Sequence, residues 1–165
     1  MFRSIWAEGG EKEPRVKLPE NKDIALLARV IFAEAAGETL EGKRAVAWVV
    51  RNRARVRSKR RKEFGSIYGW DGVILKRDAF VGVQDELWWK LDDIDSLNLQ
   101  EQEALKECIE IAEEVYEGMG IDPTEGAVFF FRGKPRERRM RDAMDRKEII
   151  PTRKMGNHQF YKYKE

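Results

Sequence analysis

The chain has 165 residues, of which 42% are hydrophobic, and it contains five Trp, eight Phe and four Tyr. This content excludes wholesale disorder, and the length suits one domain around one core. The formal net charge is only +2 and no run of about 18 apolar residues exists, so neither an overall polycation nor a membrane span is indicated.

The first predicted elements in chain order are an arm and two helices. Residues 1–22 contain two Pro and many charges, which is typical of an extended lead-in before a domain spanning 23–165. A helix is predicted from Asp23, a good cap, to about Gly37, since apolar residues recur on one face. Thr39 can cap a second helix, whose far end is the arginine-rich stretch.

The second half of the chain predicts one more long helix and two strands. Between Phe64 and Leu91 glycines interrupt short apolar runs, which indicates loops and short elements. A helical stripe that includes Cys108 then ends near Gly118, so this cysteine is expected in the core. The runs AVFFFR and HQFYKY suit strands. The expected fold class is α+β, predominantly helical, with a small β element.

Several kinds of catalytic site are excluded by missing residue types. A catalytic zinc normally needs three protein ligands, and His158 is the sole histidine, so no metal is expected. The acidic DDIDSLNLQEQEA lacks the glycine and the glutamate of a calcium loop. Phosphate-binding glycine loops and the serine-hydrolase elbow are absent from the sequence. A buried Cys108 also argues against a cysteine protease, and no cofactor is expected.

Carboxylates remain, and Glu34 in LARVIFAEAAGE is the foremost candidate. It follows Ile31 by three residues, which places it on the flank of the apolar stripe instead of the solvent side. Partial desolvation raises a carboxyl pKa toward the range of a general acid, as glycoside cleavage requires. The alternative is a salt bridge from Glu34 to Arg29 or to an arginine of the next helix. Glu38 can instead favour the start of the second helix through its dipole.

The order of LARVIFAEAAGETLEGKRAVAWVVRNRA, DAF, DPTEGAVFFF and TRKMGNHQFY resembles the SleB-type cell wall hydrolase family, which includes spore-cortex lytic enzymes and related lysis proteins. The resemblance spans about residues 24–161. It implies a lysozyme-like single domain and cleavage of the peptidoglycan glycan strand, with the first Glu of the AEA segment, Glu34, as catalytic acid. Members of the family have also been labelled N-acetylmuramoyl-L-alanine amidases, and that activity is the alternative; the missing zinc ligands favour glycan cleavage.

Two chemistries of glycan cleavage remain open. In lytic transglycosylation Glu34 protonates the bridging oxygen and then assists attack by the sugar's own 6-hydroxyl, so no second carboxylate is needed. A muramidase would need a partner acid. The candidates for that partner are Glu38, Asp71, Asp85 and Glu86.

The resemblance also implies residues that line the substrate site. Phe80, Phe129 and Tyr161 match family positions and could form walls of a sugar cleft, with core packing as the alternative. His158 is expected beside the cleft, where it positions substrate or Glu34, or else makes a structural hydrogen bond. Asn52, in the NR pair of the second helix, could contact Glu34 or an acetamido group.

The chain departs from the family pattern in three places. These are the basic run that continues to Lys62, the segment FVGV, where a serine often follows the Phe, and RERRMRDAMDRKE, which resembles an inserted loop. These departures concern substrate contacts more than Glu34.

Charge is strongly segregated, because residues 51–62 hold eight basic and no acidic side chains. This run, Arg51 to Lys62, could contact anionic wall polymers, and a non-enzymatic nucleic-acid-binding protein is the competing hypothesis of another class. No nucleic-acid-binding module is recognisable, which disfavours the latter. The start of the chain lacks the pattern of a secretory signal. We therefore expect synthesis in the cytoplasm and action on the wall after release, as in an endolysin.

Overall fold

The computed structural model describes residues 15–57, 60–80, 82–83 and 85–165. Most of the predicted arm, residues 1–14, lies outside this range. Residues 15–21 carry no regular structure, although Val16 and Leu18 pack against the core. None of the helices in the described part of the chain is long and apolar enough to cross a membrane.

Helices dominate the described residues. The α-helices are α1 (Lys22–Ala35), α2 (Leu40–Ala54), α3 (Arg60–Phe64), α4 (Gly69–Ile74), α5 (Glu86–Lys90), α6 (Leu99–Tyr116) and α7 (Arg138–Asp145). Short 3₁₀ turns lie at Ser66–Tyr68 and Ile94–Ser96. The four short elements between residues 60 and 90 agree with the irregular stretch predicted there.

The predicted cap of α1 was wrong by two residues. The side chain of Asn21, not Asp23, accepts hydrogen bonds from the amides of Asp23 (2.9 Å) and Ile24 (3.2 Å). Asp23 lies inside the first turn, where its negative charge favours the helix dipole. The helix ends at Ala35, shortly before Gly37 as expected.

The ends of the other long helices follow from local chemistry. Thr39 caps α2 as predicted, because its hydroxyl accepts from the amide of Gly42 at 3.2 Å. Asn98 and Glu101 form a reciprocal capping box at the start of α6. Gly118, with φ of +74°, follows the end of that helix, and Cys108 is fully buried on it as expected.

Three antiparallel strands form the sheet: β1 (Phe129–Phe131), β2 (Ile149–Met155) and β3 (His158–Tyr163), in the order β1-β3-β2. The predictions of β1 and β3 are confirmed. Phe131 of β1 faces Gln159 of β3, so the end of β1 lies against the start of β3.

The segment predicted as an inserted loop, RERRMRDAMDRKE, was interpreted wrongly. It contains α7, and β2 follows directly. Few apolar residues mark α7, but Met140, Ala143 and Met144 all belong to the cluster around Ile149. Pro151 in β2 is tolerated because β2 is an edge strand. Tertiary packing, rather than local pattern, determines both elements.

The main core surrounds α1, which contacts α2, α4, α5 and α6. Its fully buried residues include Leu27, Ile31 and Phe32. A smaller cluster containing Phe64, Phe129 and Tyr161 joins the three strands to α3 and α7. The molecule is therefore an α+β domain that is mostly helical, as predicted, and the turn between β2 and β3 approaches Glu38 just beyond α1.

Candidate active site

Glu34 lies in the last turn of α1 with its side chain partly buried, as its position on the flank of the apolar stripe predicts. The backbone amide of Gly82 donates a hydrogen bond to its Oε1 atom. The carboxyl group is thus held against the loop that follows Phe80, with one oxygen anchored by the backbone.

Gly82 is required at this position by close packing. A Cβ atom there would lie 2.9 Å from the backbone carbonyl of Ala33 and 3.0 Å from Oε1 of Glu34. Any side chain would push the loop away from α1 and break the hydrogen bond to the acid. Residue 81, where family members often carry serine, lies outside the described residues.

The pKa of Glu34 is raised above its ordinary value of 4.5, and burial is the largest cause. The charge of Asp85 raises it further. The hydrogen bond from Gly82 and the charges of Arg132 and Arg53 act in the opposite direction. A carboxyl group in this balance is a suitable general acid, because it keeps its proton longer than an exposed glutamate yet can become a stabilised carboxylate.

The alternative salt bridge from Glu34 to Arg29 is not formed. Arg29 instead pairs with Asp92 at 2.7 Å and donates to the carbonyl of Trp88. Among the described residues, no ion pair within 4.0 Å includes Glu34. The acid is therefore influenced by nearby charges without being paired to one.

Glu38 lies just beyond α1 and is only 12% exposed. Its Oε1 atom is 3.5 Å from Nη2 of Arg132 and 4.0 Å from Nδ1 of His158. Gly156, with φ of +54°, approaches so closely that a Cβ atom there would lie 2.6 Å from Oε2 of Glu38. The two ends of the sequence motif, AEAAGE and GNHQFY, thus meet at this carboxylate.

His158 is 2% exposed and lies edge-on to the rings of Phe130 and Phe160. Its Nε2 atom accepts a hydrogen bond from Nε of Arg132 at 3.1 Å, so the neutral ring carries its proton on Nδ1. Burial, and then the charge of Arg132, lower the pKa of His158, while Glu38 opposes them. Its contact toward the site runs through Arg132, a residue that the sequence did not single out.

The side chain of Asn52 makes structural hydrogen bonds. Its Nδ2 atom donates to Oδ2 of Asp122 at 2.8 Å and to the carbonyl of Ala127 at 2.9 Å. Asp122 also accepts from the amides of Thr124 and Gly126, so Asn52 fixes the turn that leads into β1. This amide nitrogen is directed at that turn and not at Glu34.

The three predicted aromatic residues pack in the core. Phe80, Phe129 and Tyr161 are all buried. The guanidinium of Arg53 lies 4.6 Å from the ring centre of Phe80, and Phe129 packs edge-on against Tyr163. The structure thus gives each ring a packing role, and contact with sugar stays a prediction.

The other candidates for a second carboxylate differ in position. The charge of Asp85 acts on Glu34, whereas those of Asp71 and Glu86 are not among the charges that act on it. Glu86 lies 4.0 Å from Lys90. No group of three or more His, Cys, Asp or Glu within the described ranges could hold a metal ion.

Two cavities of about 450 and 550 Å³ lie elsewhere on the molecule. The first is lined by α7, the start of β2 and residues 163–165, and the second by the end of α2 with Arg61. Glu34 lines neither, so the site is identified by the environment of its carboxyl group and not by a cavity volume.

Comparison with solved structures shows the fold. The catalytic domain of the germination-specific lytic transglycosylase SleB from Bacillus anthracis matches with a TM-score of 0.57 at 24% identity, covering 88% of this chain and 100% of that one. The catalytic domain of the Bacillus cereus SleB protein matches with a TM-score of 0.53 at 25% identity, covering 91% and 99%. The predicted lysozyme-like architecture is confirmed. A comparison with curated proteins found no significant match.

A family model described as Cell Wall Hydrolase matches residues 37–161, which is more than half of the chain. The match begins three residues after Glu34 and includes Glu38, Arg132 and His158. The case for Glu34 as the acid therefore depends on its own surroundings. The resemblance drawn from the sequence is confirmed, and the chain belongs to the cell wall hydrolase family.

Proposed function

We propose that this protein cleaves the glycan strand of peptidoglycan, with Glu34 as the general acid. The observation that carries the proposal is the environment of this carboxyl group: it is partly buried at the end of α1, anchored by the amide of Gly82, and has a raised pKa. A sugar acetal is a poor leaving group until its oxygen is protonated, and a desolvated glutamic acid can supply that proton near neutral pH.

Lytic transglycosylation is the chemistry that the site supports best. Glu34 donates its proton to the bridging oxygen, and the bond from that oxygen to the anomeric carbon of the muramic acid unit breaks. The 6-hydroxyl oxygen of the same sugar then bonds to the anomeric carbon, and its proton returns to Glu34. No water is consumed, and the product carries a 1,6-anhydro ring.

A muramidase mechanism would need a second carboxylate about 5–5.5 Å from the first for retention, or about 6.5–9.5 Å for inversion. Glu38 is engaged by Arg132 and faces His158, so it is poorly placed to act as a free nucleophile or base. Asp85 is exposed and acts on Glu34 through its charge. The solved relative from Bacillus anthracis bears the name of a lytic transglycosylase, which also favours the first mechanism.

Digestion of purified sacculi followed by mass spectrometry tests this function. We expect muropeptides with anhydro-muramic ends from the native protein. Glu34→Gln should keep the fold and lose at least about 100-fold in rate, the scale of a missing general acid. The matched control is Glu41→Gln, an exposed glutamate of α2, which should retain activity.

Each other product would contradict part of the proposal. Reducing sugar ends would indicate a hydrolase, and freed stem peptides with intact glycan would indicate an amidase. Full clearing of sacculi by Glu34→Gln would show that another group is the acid.

We also propose that anionic wall polymers bind the basic surface at the end of α2. Two arginines of the run make contacts within the protein. Arg51 donates hydrogen bonds to the carbonyls at the end of α6, and Arg53 is buried. Three other arginines of the run, Arg55, Arg57 and Arg61, line the second cavity. Guanidinium groups in an open recess favour phosphate or carboxylate groups of a polymer.

Binding to a phosphate-bearing wall polymer at increasing salt tests this surface. The triple change of Arg55, Arg57 and Arg61 to Gln should weaken binding and flatten its salt dependence. Unchanged binding would contradict the proposal. Tight, salt-sensitive binding to nucleic acid without binding to the wall polymer would instead favour the nucleic-acid hypothesis.

A further inference from the structure

Arg132 is a cation at the candidate site that takes no part in the proton transfers of the proposed mechanism. It follows β1 directly, and the pairing of Phe131 with Gln159 continues to place it opposite His158. Its side chain is 61% exposed, yet two of its nitrogen atoms approach buried groups. An arginine that is largely exposed contributes little to core packing, so the contacts that fix its side chain indicate another role.

The anchor of Arg132 is a neutral histidine. Nε of Arg132 is 3.1 Å from Nε2 of His158, and a guanidinium can only donate, so the imidazole must accept. Nδ1 of His158 then carries a proton, but it is buried and has no hydrogen-bond partner among the described residues. The nearest carboxylate atom is Oε1 of Glu38 at 4.0 Å, toward which a small movement would complete a bond.

Glu38 closes this arrangement from the other side. Its Oε1 atom is 3.5 Å from Nη2 of Arg132, so the guanidinium is held between an imidazole from β3 and a carboxylate from the segment after α1. Gly156 gives Glu38 the space to reach this position. Three parts of the chain that are distant in sequence thus fix one charged group.

The charge that is fixed acts on Glu34. The charges that influence the pKa of this acid are those of Asp85 at the start of α5, Arg53 from α2 and Arg132 after β1. Arg53 is buried and donates to the carbonyls of Val128 and Ala79. Of the two cations, Arg132 is the largely exposed one, and its Nε and Nη2 atoms are the ones that contact His158 and Glu38.

We propose that Arg132 is a positioning residue for Glu34: neutral His158 and Glu38 hold its guanidinium near the end of α1, where it stabilises the carboxylate of Glu34 left after proton transfer. This inference rests on the proposed function of Glu34. The charge lets Glu34 release its proton to the bridging oxygen more readily, and it steadies the anion until the 6-hydroxyl returns a proton.

The pH profile of kcat/KM on soluble glycan fragments tests the inference. Glu34 must be protonated to act, so activity falls on the basic side as this acid ionises. In Arg132→Gln the lost positive charge raises the pKa of Glu34, so the basic limb should move to higher pH. We expect kcat to fall about tenfold, a part of what general acid catalysis supplies, with KM near the native value.

Two further variants make the result specific. Arg132→Lys keeps the charge and should return the basic limb toward its native position. Arg153→Gln removes the same charge from β2, where Arg153 lies 3.7 Å from Glu125, and should leave the limb unmoved. The inference is overturned if Arg132→Gln leaves the limb in place, if Arg153→Gln moves it equally, or if KM alone changes.

The single histidine of the chain provides a second measurement. Long-range ¹H–¹⁵N NMR should show one imidazole at pH 7, neutral and protonated at Nδ1. In Arg132→Gln its Nε2 environment should change. A cationic ring or a proton at Nε2 in the native protein would refute the anchor. Failure of the proposed function would appear separately, as glycan cleavage that survives Glu34→Gln.

Discussion

Replacing Arg53 by Met tests how the helical core is joined to the sheet. Arg53 is 7% exposed, its Nε donates to the carbonyl of Val128 at 2.7 Å, and its Nη1 donates to the carbonyl of Ala79 at 3.1 Å. Burial is the largest cause that lowers its pKa, to about 10, so it stays charged at neutral pH. Its guanidinium also lies 4.6 Å from the ring centre of Phe80.

The expected loss follows from these contacts. Two hydrogen bonds from a charged donor contribute about 1.5–3 kcal/mol each. Methionine keeps the apolar stem and removes the desolvation of a buried cation, which offsets part of the loss. We therefore expect the free energy of unfolding to fall by about 3 kcal/mol.

Urea unfolding followed by tryptophan fluorescence measures this loss, since the chain has five Trp. Arg57→Met is the control: Arg57 is exposed, and its replacement should change stability by less than about 0.5 kcal/mol. A loss below about 1 kcal/mol in Arg53→Met, with an unchanged m-value, would refute the view that this arginine joins the two parts.

Three further changes test the site and its supports. The pKa of Glu34 is raised in the folded protein, so ionisation of this group lowers the stability as pH rises. Glu34→Gln should therefore have a higher melting temperature than the native protein at pH 7, and the difference should vanish below about pH 4.5. A difference in melting temperature that does not vary with pH would contradict this. Gly156→Ala places a Cβ atom against Glu38 at a φ of +54° and should cost about 1–2 kcal/mol in thermal unfolding, whereas an unchanged melting temperature would exclude strain. Asn52→Ala removes the donor to Asp122 and should lower the free energy of unfolding by about 1–3 kcal/mol in the same assay. A loss within experimental error would show that the turn is stable without the hydrogen bond from Asn52.

The secondary structure was predictable wherever a local pattern is strong. The apolar stripes of α1, α2 and α6, the cap of α2 at Thr39 and the aromatic strands β1 and β3 all follow from residues that are close in sequence. The segment from α7 to β2 was not, because its apolar residues are few and acquire a partner only when the chain folds. The cap at Asn21 was missed because Asn and Asp are both favoured as N-cap residues, and Asp23 lies only two residues later.

The position of Glu34 was predictable and its surroundings were not. Helical spacing alone places Glu34 on the border of the core. That Gly82 supplies the amide to it is a long-range contact that spacing cannot reveal. The position of Arg132 could have been predicted from one pattern in the sequence. Antiparallel pairing of FFF with QFY places the next residues, Arg132 and His158, opposite each other.

The carboxyl group of Glu34 belongs to the helix that touches α2, α4, α5 and α6. Because buried core helices open with free energies near that of global unfolding, we expect α1 to stay folded while the strands and the short helices fray. Heat inactivation should therefore track the cooperative melting of the entire helical bundle. Changes confined to loops away from Gly82 and Arg132 should accordingly leave the position of Glu34 unaltered.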